Sequence, residues 1–294
     1  MLFRSVALIT EADANPGETG YLAGQLSSDG IKVLRAAGPE ITGGSDGSVR
    51  ILVPFVATQV TAEVMDRLPQ LGLIATRSTG TDHIDVAEAA RRGITVANVP
   101  DYGSVAVAEH TFALLLTLTR IRPHLAPGTD LSGKTLGVIG TGAIGRHVMQ
   151  IAHGFGMNVL AYDLEHRPGI RYGTLDEVLA QADVITLHIP AIPATRHFIN
   201  EQRLAAMKPG VILLNTARGS LVDTAALSRA LHSGQVSAAG LDVFEPASDA
   251  EGGSALPNTV ITPHIAYNTR EAIRRISNIT LDNIRRWLHD QDGS

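Results

Sequence analysis

At 294 residues the chain is longer than one simple core accommodates and suits two medium-sized domains. Its 24 Lys and Arg against 29 Asp and Glu leave a net charge of −5 with the arginines scattered, which argues against a nucleic-acid surface; with no Cys, disulfides, thiolate metal sites and a cysteine nucleophile are excluded. No segment is apolar over the unbroken length a bilayer requires, and the amino-terminal MLFRSVALIT runs straight into a strand-like stretch instead of reading as a signal peptide.

In chain order, short apolar runs bounded by turns predict strands at 6–10, 32–36, 50–55, 73–77 and 95–99. Helices are expected at 61–68, opening on Thr61 as a cap, and at 84–92, closing on Gly93. The stretch 105–121 is apolar around most of its circumference, with Phe112 to Leu118 flanked by His110 and Arg120, and reads as a helix buried between domains or against a second subunit. After a Pro- and Gly-containing connector at 122–130, a more regular series predicts strands at 135–139, 158–162, 183–188, 211–215, 239–244 and 259–262. Ile144, Val148, Ile151, Ala152 and Phe155 lie at helical spacing; Asp223 caps a helix carrying Leu227, Ala230 and Leu231 that ends at Gly234. A last helix is expected at 270–288. This alternation defines an α/β chain with mainly parallel sheets, and the second series is a complete doubly wound nucleotide-binding domain.

The turn Gly140-Thr141-Gly142-Ala143-Ile144-Gly145 follows the strand at 135–139 and opens the amphipathic helix. An acidic residue, Asp163, ends the next strand, eighteen residues past Gly145. A lone G-x-G-x-x-G is weak evidence, but strand, turn, helix and acid in this order are the dinucleotide fingerprint. Gly140 permits the tight turn, Gly142 lets backbone approach a pyrophosphate, and Gly145 allows close helix–strand packing. The helix start at Ala143 and Ile144 offers unpaired N–H groups to phosphate. Asp163 would accept from the ribose hydroxyls and repel a 2′-phosphate, which favours NAD; Arg167, nearby, keeps NADP as the competing reading.

Four further stretches accompany the fingerprint: NTARGSLVD at 215–223, GLDVFEP at 240–246, TPHIAYNT at 262–269, and ATRSTGTDHID at 75–85 followed by NVPDYG at 98–103. With them the chain resembles the D-isomer-specific 2-hydroxyacid dehydrogenases, from about residue 70 onward, and TPHIAYNT looks closest to D-lactate dehydrogenase-like members. The resemblance implies an NAD-binding Rossmann domain at 102–268 and a discontinuous, flavodoxin-like substrate domain at 1–101 and 269–294. It also implies hydride transfer between nicotinamide and C2 of a small 2-keto or 2-hydroxy acid, in a cytoplasmic homodimer paired through the 105–121 helix, with no metal, nucleic-acid or membrane partner.

Arg218 would bind the substrate carboxylate and keto oxygen through its planar fork, and His264 matches the family's general acid/base. The plain alternatives are an ion pair at a strand end for Arg218 and a structural histidine for His264, one of eleven. Thr79 and Gly80 fit the family's backbone donors to the carboxylate, and Tyr102 a substrate-contacting Tyr. Asp242 matches the residue near the nicotinamide amide, Thr216 and Ala217 the backbone beside that ring, and Ile189 and Pro190 the segment covering the adenosine side. The chain departs from the family where a Glu should pair with the His: that position is Ala247, with Glu245 before it and Asp249 and Glu251 beyond. Ala247 keeps a second reading open, an NAD(H)-binding sensor or regulatory protein on the same scaffold with little catalysis.

Overall fold

A computed structural model describes residues 5–10, 16–36, 41, 47–121, 127–245 and 256–292. The chain divides into two compact units, residues 1–102 with 269–294 and residues 103–268.

In the first unit the elements are β1 (Ser5–Thr10), α1 (Pro16–Ser28), β2 (Ile31–Ala36), β3 (Ile51–Val53), α2 (Ala62–Asp66), β4 (Leu73–Ala75), α3 (Val86–Arg91), β5 (Thr95–Ala97) and, after the second unit, the long helix here called α9 (Arg270–Asp292). The five strands form one parallel sheet in the order β2-β1-β3-β4-β5, which is the flavodoxin-like winding. Ala7, Ile9, Ile51, Val53 and Leu73 turn to one side of it, onto Leu22 and Leu26 of α1 and Ile284 and Trp287 of α9, all buried. Leu8, Leu52 and Ile74 turn to the other, onto Met65, Leu68 and Ala89. The alternation follows from the two-residue period of a strand covered on both faces. Thr61 does precede a helix, but its hydroxyl binds Glu63 Oε2 at 2.6 Å instead of capping the backbone.

The second unit contains α4 (Ser104–Leu116), continued by a π-helical turn to Ile121, then β6 (Thr135–Ile139), α5 (Ala143–Gly154), β7 (Asn158–Tyr162), α6 (Leu175–Gln181), β8 (Val184–Leu187), α7 (Glu201–Ala206), β9 (Val211–Asn215), α8 (Thr224–Ser233), β10 (Val236–Leu241) and β11 (Thr259–Ile261). Its parallel sheet has the order β11-β10-β9-β8-β6-β7. Tyr172 adds a single parallel bridge to Ala161 beside β7, a one-residue remnant of an edge strand. The winding reverses between β6 and β8, so their carboxyl ends open the crevice where doubly wound sheets bind ligands.

Helices α1, α6 and α7 have no counterpart among the expected elements, and two expected elements differ in detail. The strand expected at 239–244 runs over Val236–Leu241, because a register irregularity between Val236 and Ala238 breaks the alternation at its start and Asp242 already turns away. The segment Ser104–Ile121 is long and apolar enough by composition to cross a membrane, but more than half of it is buried within the unit. Phe112, Leu114, Leu115 and Leu118 pack with Val148, Met149 and Leu214, so its apolarity serves the core.

Candidate active site

The cofactor turn is built by backbone. Gly140 has φ +100°, and a Cβ there would stand 2.5 Å from the His188 carbonyl oxygen, so the turn can lie against the end of β8 only with glycine. A Cβ on Gly145 would collide with the Gly140 carbonyl. Gly142 is different: a Cβ there would meet nothing within 4 Å, and as the N-cap of α5 it supplies no side-chain acceptor. The first N–H groups of α5, at Ala143 and Ile144, are therefore left for an anion in open space, which fits a pyrophosphate. Asp163 follows β7, and its Oδ2 accepts from Thr141 N at 2.6 Å and Thr141 Oγ1 at 2.8 Å. Partial burial works to raise its pKa, but these bonds and the N–H groups of Leu164 and Glu165 outweigh it and hold the carboxyl below its usual range. Ile189 and Pro190 follow His188, the first residue past β8.

Arg218 is half-buried just beyond β9. The loop from 215 to 218 is fastened by one side chain: Asn215 Oδ1 accepts from Ala217 N at 3.1 Å and Asn215 Nδ2 donates to Arg218 O at 2.8 Å. Arg218 itself donates to Ala217 O at 2.8 Å, and Thr216, buried, shares a hydroxyl contact with Thr111 at 3.1 Å. Gly219 brings this loop onto the segment after β10, since a Cβ there would stand 2.6 Å from the Phe244 carbonyl carbon.

His264 stands in a tight turn after β11 with φ +55°, a left-handed conformation that His, Asn and Asp enter more readily than most residues. Asp242 holds that turn. It is 1 % exposed, and its carboxylate accepts from Thr262 Oγ1 at 2.5 Å, Ile265 N at 2.9 Å and Ala266 N at 2.9 Å, while its carbonyl accepts from His264 N at 2.9 Å. His110 of α4 reaches Thr262 Oγ1 at 3.0 Å from the other side. The His264 ring meets Tyr267 edge-on at 6.5 Å between centroids. Asn215 and Thr262 carry no assigned role in the sequence reading, and His110 stands there only as one of the other histidines; His110 and Thr262 are 152 residues apart, and no spacing signals such a pair.

Glu245 is occupied by other groups. Arg196 binds both its oxygens, at 2.9 and 3.3 Å, and His197 Nε2 lies 3.1 Å from Oε2; these hydrogen bonds, His197 first, hold its carboxyl down despite some desolvation. Ala247, Asp249 and Glu251 lie outside the described residues.

In the first unit, Thr79 is exposed at the turn after β4. Thr79 Oγ1 donates to Val99 O at 2.7 Å, Asn98 Nδ2 donates to Thr79 O at 2.8 Å, and Ser78 Oγ donates to Gly80 O at 2.7 Å. These bonds use side chains and carbonyls; among the described residues the N–H groups of Thr79 and Gly80 enter none. Tyr102 is buried, and its carbonyl accepts from Arg275 Nε at 2.8 Å.

His188 adds a pH dependence beside the cofactor turn. Its Nε2 is 2.9 Å from Thr186 Oγ1, its Nδ1 is buried with no hydrogen-bond partner among the described residues, and burial pushes its pKa down to about 3. The unfolded chain takes up a proton near the ordinary value of 6.5 that the folded ring refuses until about pH 3, so stability falls as pH drops through that window. Urea unfolding of cofactor-free protein should show a loss of about 2 kcal/mol between about pH 7.5 and about pH 5 that His188→Gln lacks. An identical loss in the variant would place the titration elsewhere.

A phosphate-ready glycine turn at the winding reversal, with an acid just past the neighbouring strand, defines a dinucleotide-binding domain. The family model for the NAD binding domain of D-isomer specific 2-hydroxyacid dehydrogenases matches residues 107–266. A glyoxylate reductase of Thermofilum pendens is 38% identical over 259 residues, 79% of this chain and 76% of the relative. A glycerate dehydrogenase of Methylorubrum extorquens is 38% identical over 250 residues, 77% and 79% of the two chains. Among solved structures, D-lactate dehydrogenase from Aquifex aeolicus complexed with NAD and lactic acid superposes with a TM-score of 0.85 at 35% identity, over 97% of this chain and 96% of that one. The chain belongs to the D-isomer specific 2-hydroxyacid dehydrogenase family. It is an NAD-dependent oxidoreductase acting between a 2-keto acid and its D-2-hydroxy acid, which favours the enzyme over the sensor.

Proposed function

We propose that the substrate is a small 2-keto acid of the size of glyoxylate, pyruvate or hydroxypyruvate, reduced with NADH. The observation that carries this reading is the placement of Arg218, the Asp242-fastened His264 turn and the glycine turn at carboxyl ends of strands in one sheet. NADH, when bound, supplies the hydride to C2. Arg218 grips the carboxylate and keto oxygen, and Thr79 and Gly80 give backbone N–H groups to the carboxylate. Tyr102 borders the substrate. The His264 imidazolium gives its proton to the keto oxygen as the C2–H bond forms; in the reverse direction the neutral ring takes it back. Thr216, Ala217 and Asp242 stand on the nicotinamide side, and Ile189 and Pro190 on the adenosine side. A small substrate is supported by the glyoxylate reductase, glycerate dehydrogenase and D-lactate dehydrogenase among the relatives and by the lack of a further basic cluster in the sequence.

The protein works as a cytoplasmic homodimer in this reading. The exposed Val105 and Ile121 at the two ends of the 104–121 helix support pairing through it. The test follows NADH oxidation with glyoxylate, pyruvate, hydroxypyruvate and longer keto acids, alongside the mass in solution. Turnover confined to long-chain acids would refute the small substrate, and a monomeric mass the dimer.

A further inference from the structure

The carboxylate of Asp163 is not a free acid at the end of a strand. Both acceptor positions of its Oδ2 are taken by Thr141, one by the N–H at 2.6 Å and one by the hydroxyl at 2.8 Å. Thr141 is 1 % exposed, and its Oγ1 also lies 3.0 Å from Tyr172 Oη. A hydroxyl has one proton, and that of Thr141 goes to the acceptor-only carboxylate, so Tyr172 must be the donor to Thr141. Tyr172 Oη in turn accepts from Arg167 N at 3.1 Å. The result is a one-way chain: Arg167 N–H to Tyr172, Tyr172 to Thr141, Thr141 to Asp163, each bond polarising the next toward the carboxylate.

The far end of that chain is itself pinned. Tyr172 is bridged to β7 through bonds from Ala161 N to Arg171 O at 2.9 Å and from Gly173 N to Ala161 O at 3.0 Å. Its ring is stacked on His166 with centroids 4.0 Å apart and planes 8° from parallel. Glu165 N, at 3.1 Å, holds Asp163 Oδ1 from the loop side.

We propose that Thr141 and Tyr172 are specificity-determining positioning residues: by locking the Asp163 carboxylate they make this chain select an adenosine ribose with a free 2′-hydroxyl and reject a 2′-phosphate. With Oδ2 saturated, acceptor capacity for a ribose hydroxyl remains on Oδ1. A carboxylate held in one rotamer cannot swing aside to admit a phosphate dianion, and the like charges repel. Released from Thr141, the same carboxylate can rotate away, and Arg167 stands in the adjoining loop as a cation for the phosphate. The glycine turn thus does two tasks, one through backbone N–H groups and one through the hydroxyl between its first two glycines.

The proposal rests on the preference for NAD and is tested on the full-length protein by fluorescence titration with NADH and NADPH, which reads binding without turnover. Thr141→Val keeps the shape and the backbone N–H and removes only the hydroxyl. It should lower the ratio of the NADPH to the NADH dissociation constant by about tenfold, the size of one hydrogen bond to a charged group. Tyr172→Phe, which keeps the stacked ring, should lower the ratio by a few-fold, roughly the loss of a neutral bond. Thr141→Ser should hold the wild-type ratio, and in steady-state kinetics the valine effect should fall on the cofactor KM and not on that of the keto acid. An unchanged ratio in Thr141→Val, or a fall as large in Thr141→Ser, overturns the proposal. If the valine variant does not fold, Tyr172→Phe and Thr141→Ser decide it on the same ratio. A wild-type protein that binds NADPH more tightly than NADH would instead remove the preference on which the proposal rests.

Discussion

His264→Asn should leave NADH binding intact and lower kcat for keto-acid reduction by about 10²–10⁴-fold, the usual contribution of a positioned acid–base group. Asparagine is the informative replacement because of the backbone. His264 sits at φ +55°, where Asn is tolerated and a β-branched or bulky residue is strained. The turn also takes its hold from Asp242, through the His264, Ile265 and Ala266 N–H groups, none of which the substitution touches. What is removed is the imidazole, the proposed proton donor, so the pH dependence of reduction should be lost with it. A fall of less than about tenfold, with the pH profile preserved, would mean that another group moves the proton.

Arg218→Lys should lower kcat/KM for the keto acid by about 10²–10³-fold, roughly 3–4 kcal/mol, with the NADH dissociation constant unchanged. Charge is conserved, so the loss isolates the planar fork, which matches carboxylate and carbonyl together where an ammonium meets one oxygen at a time. The loop should survive the change, because Asn215 fastens it through Ala217 N and Arg218 O, both backbone atoms. A loss of under about fivefold would assign Arg218 to its contact with the Ala217 carbonyl and return the anion-binding task to another group. The two variants are separable in kinetics: the histidine change falls on kcat, while the arginine change also raises the KM of the keto acid.

The regular elements were legible where one signal dominated. In the strands of the second unit, runs such as LGVI after Thr135 and LL after Ile212 are buried on both faces, so their apolar continuity marks them whatever their neighbours. Helix α8 announced itself through Asp223, whose side chain accepts from Ala226 N, and through Gly234 at φ +78°. Helix α1 gave no such sign. Gly17, Gly20 and Gly24 blur its pattern, and only packing of Leu22 and Leu26 against the sheet and α9 makes the segment helical. Helix α6 carries its signal in the Thr174–Glu177 capping box, in which each residue caps the other's backbone.

The site divides along the same line. Reaction chemistry depends on residue type, so an arginine after one strand, a histidine after another and a glycine turn opening a helix can be named from the chain alone. Glycine positions carry their own reason, since no other residue fits at Gly140 or Gly145. What holds those groups in place was decided by folding. Asp242, placed from the sequence beside the nicotinamide, spends its carboxylate on the turn that carries His264, with Thr262 as an intermediary to His110. Asp163, named as a ribose acceptor, is first of all an acceptor from Thr141, backed by Tyr172 thirty-one residues from it. A hydrogen bond is won or lost over a few tenths of an ångström, and sequence spacing carries no information at that scale between elements far apart in the chain. The groups proposed to react are therefore nameable from the sequence, while the side chains that hold them become visible only when the strands are laid side by side.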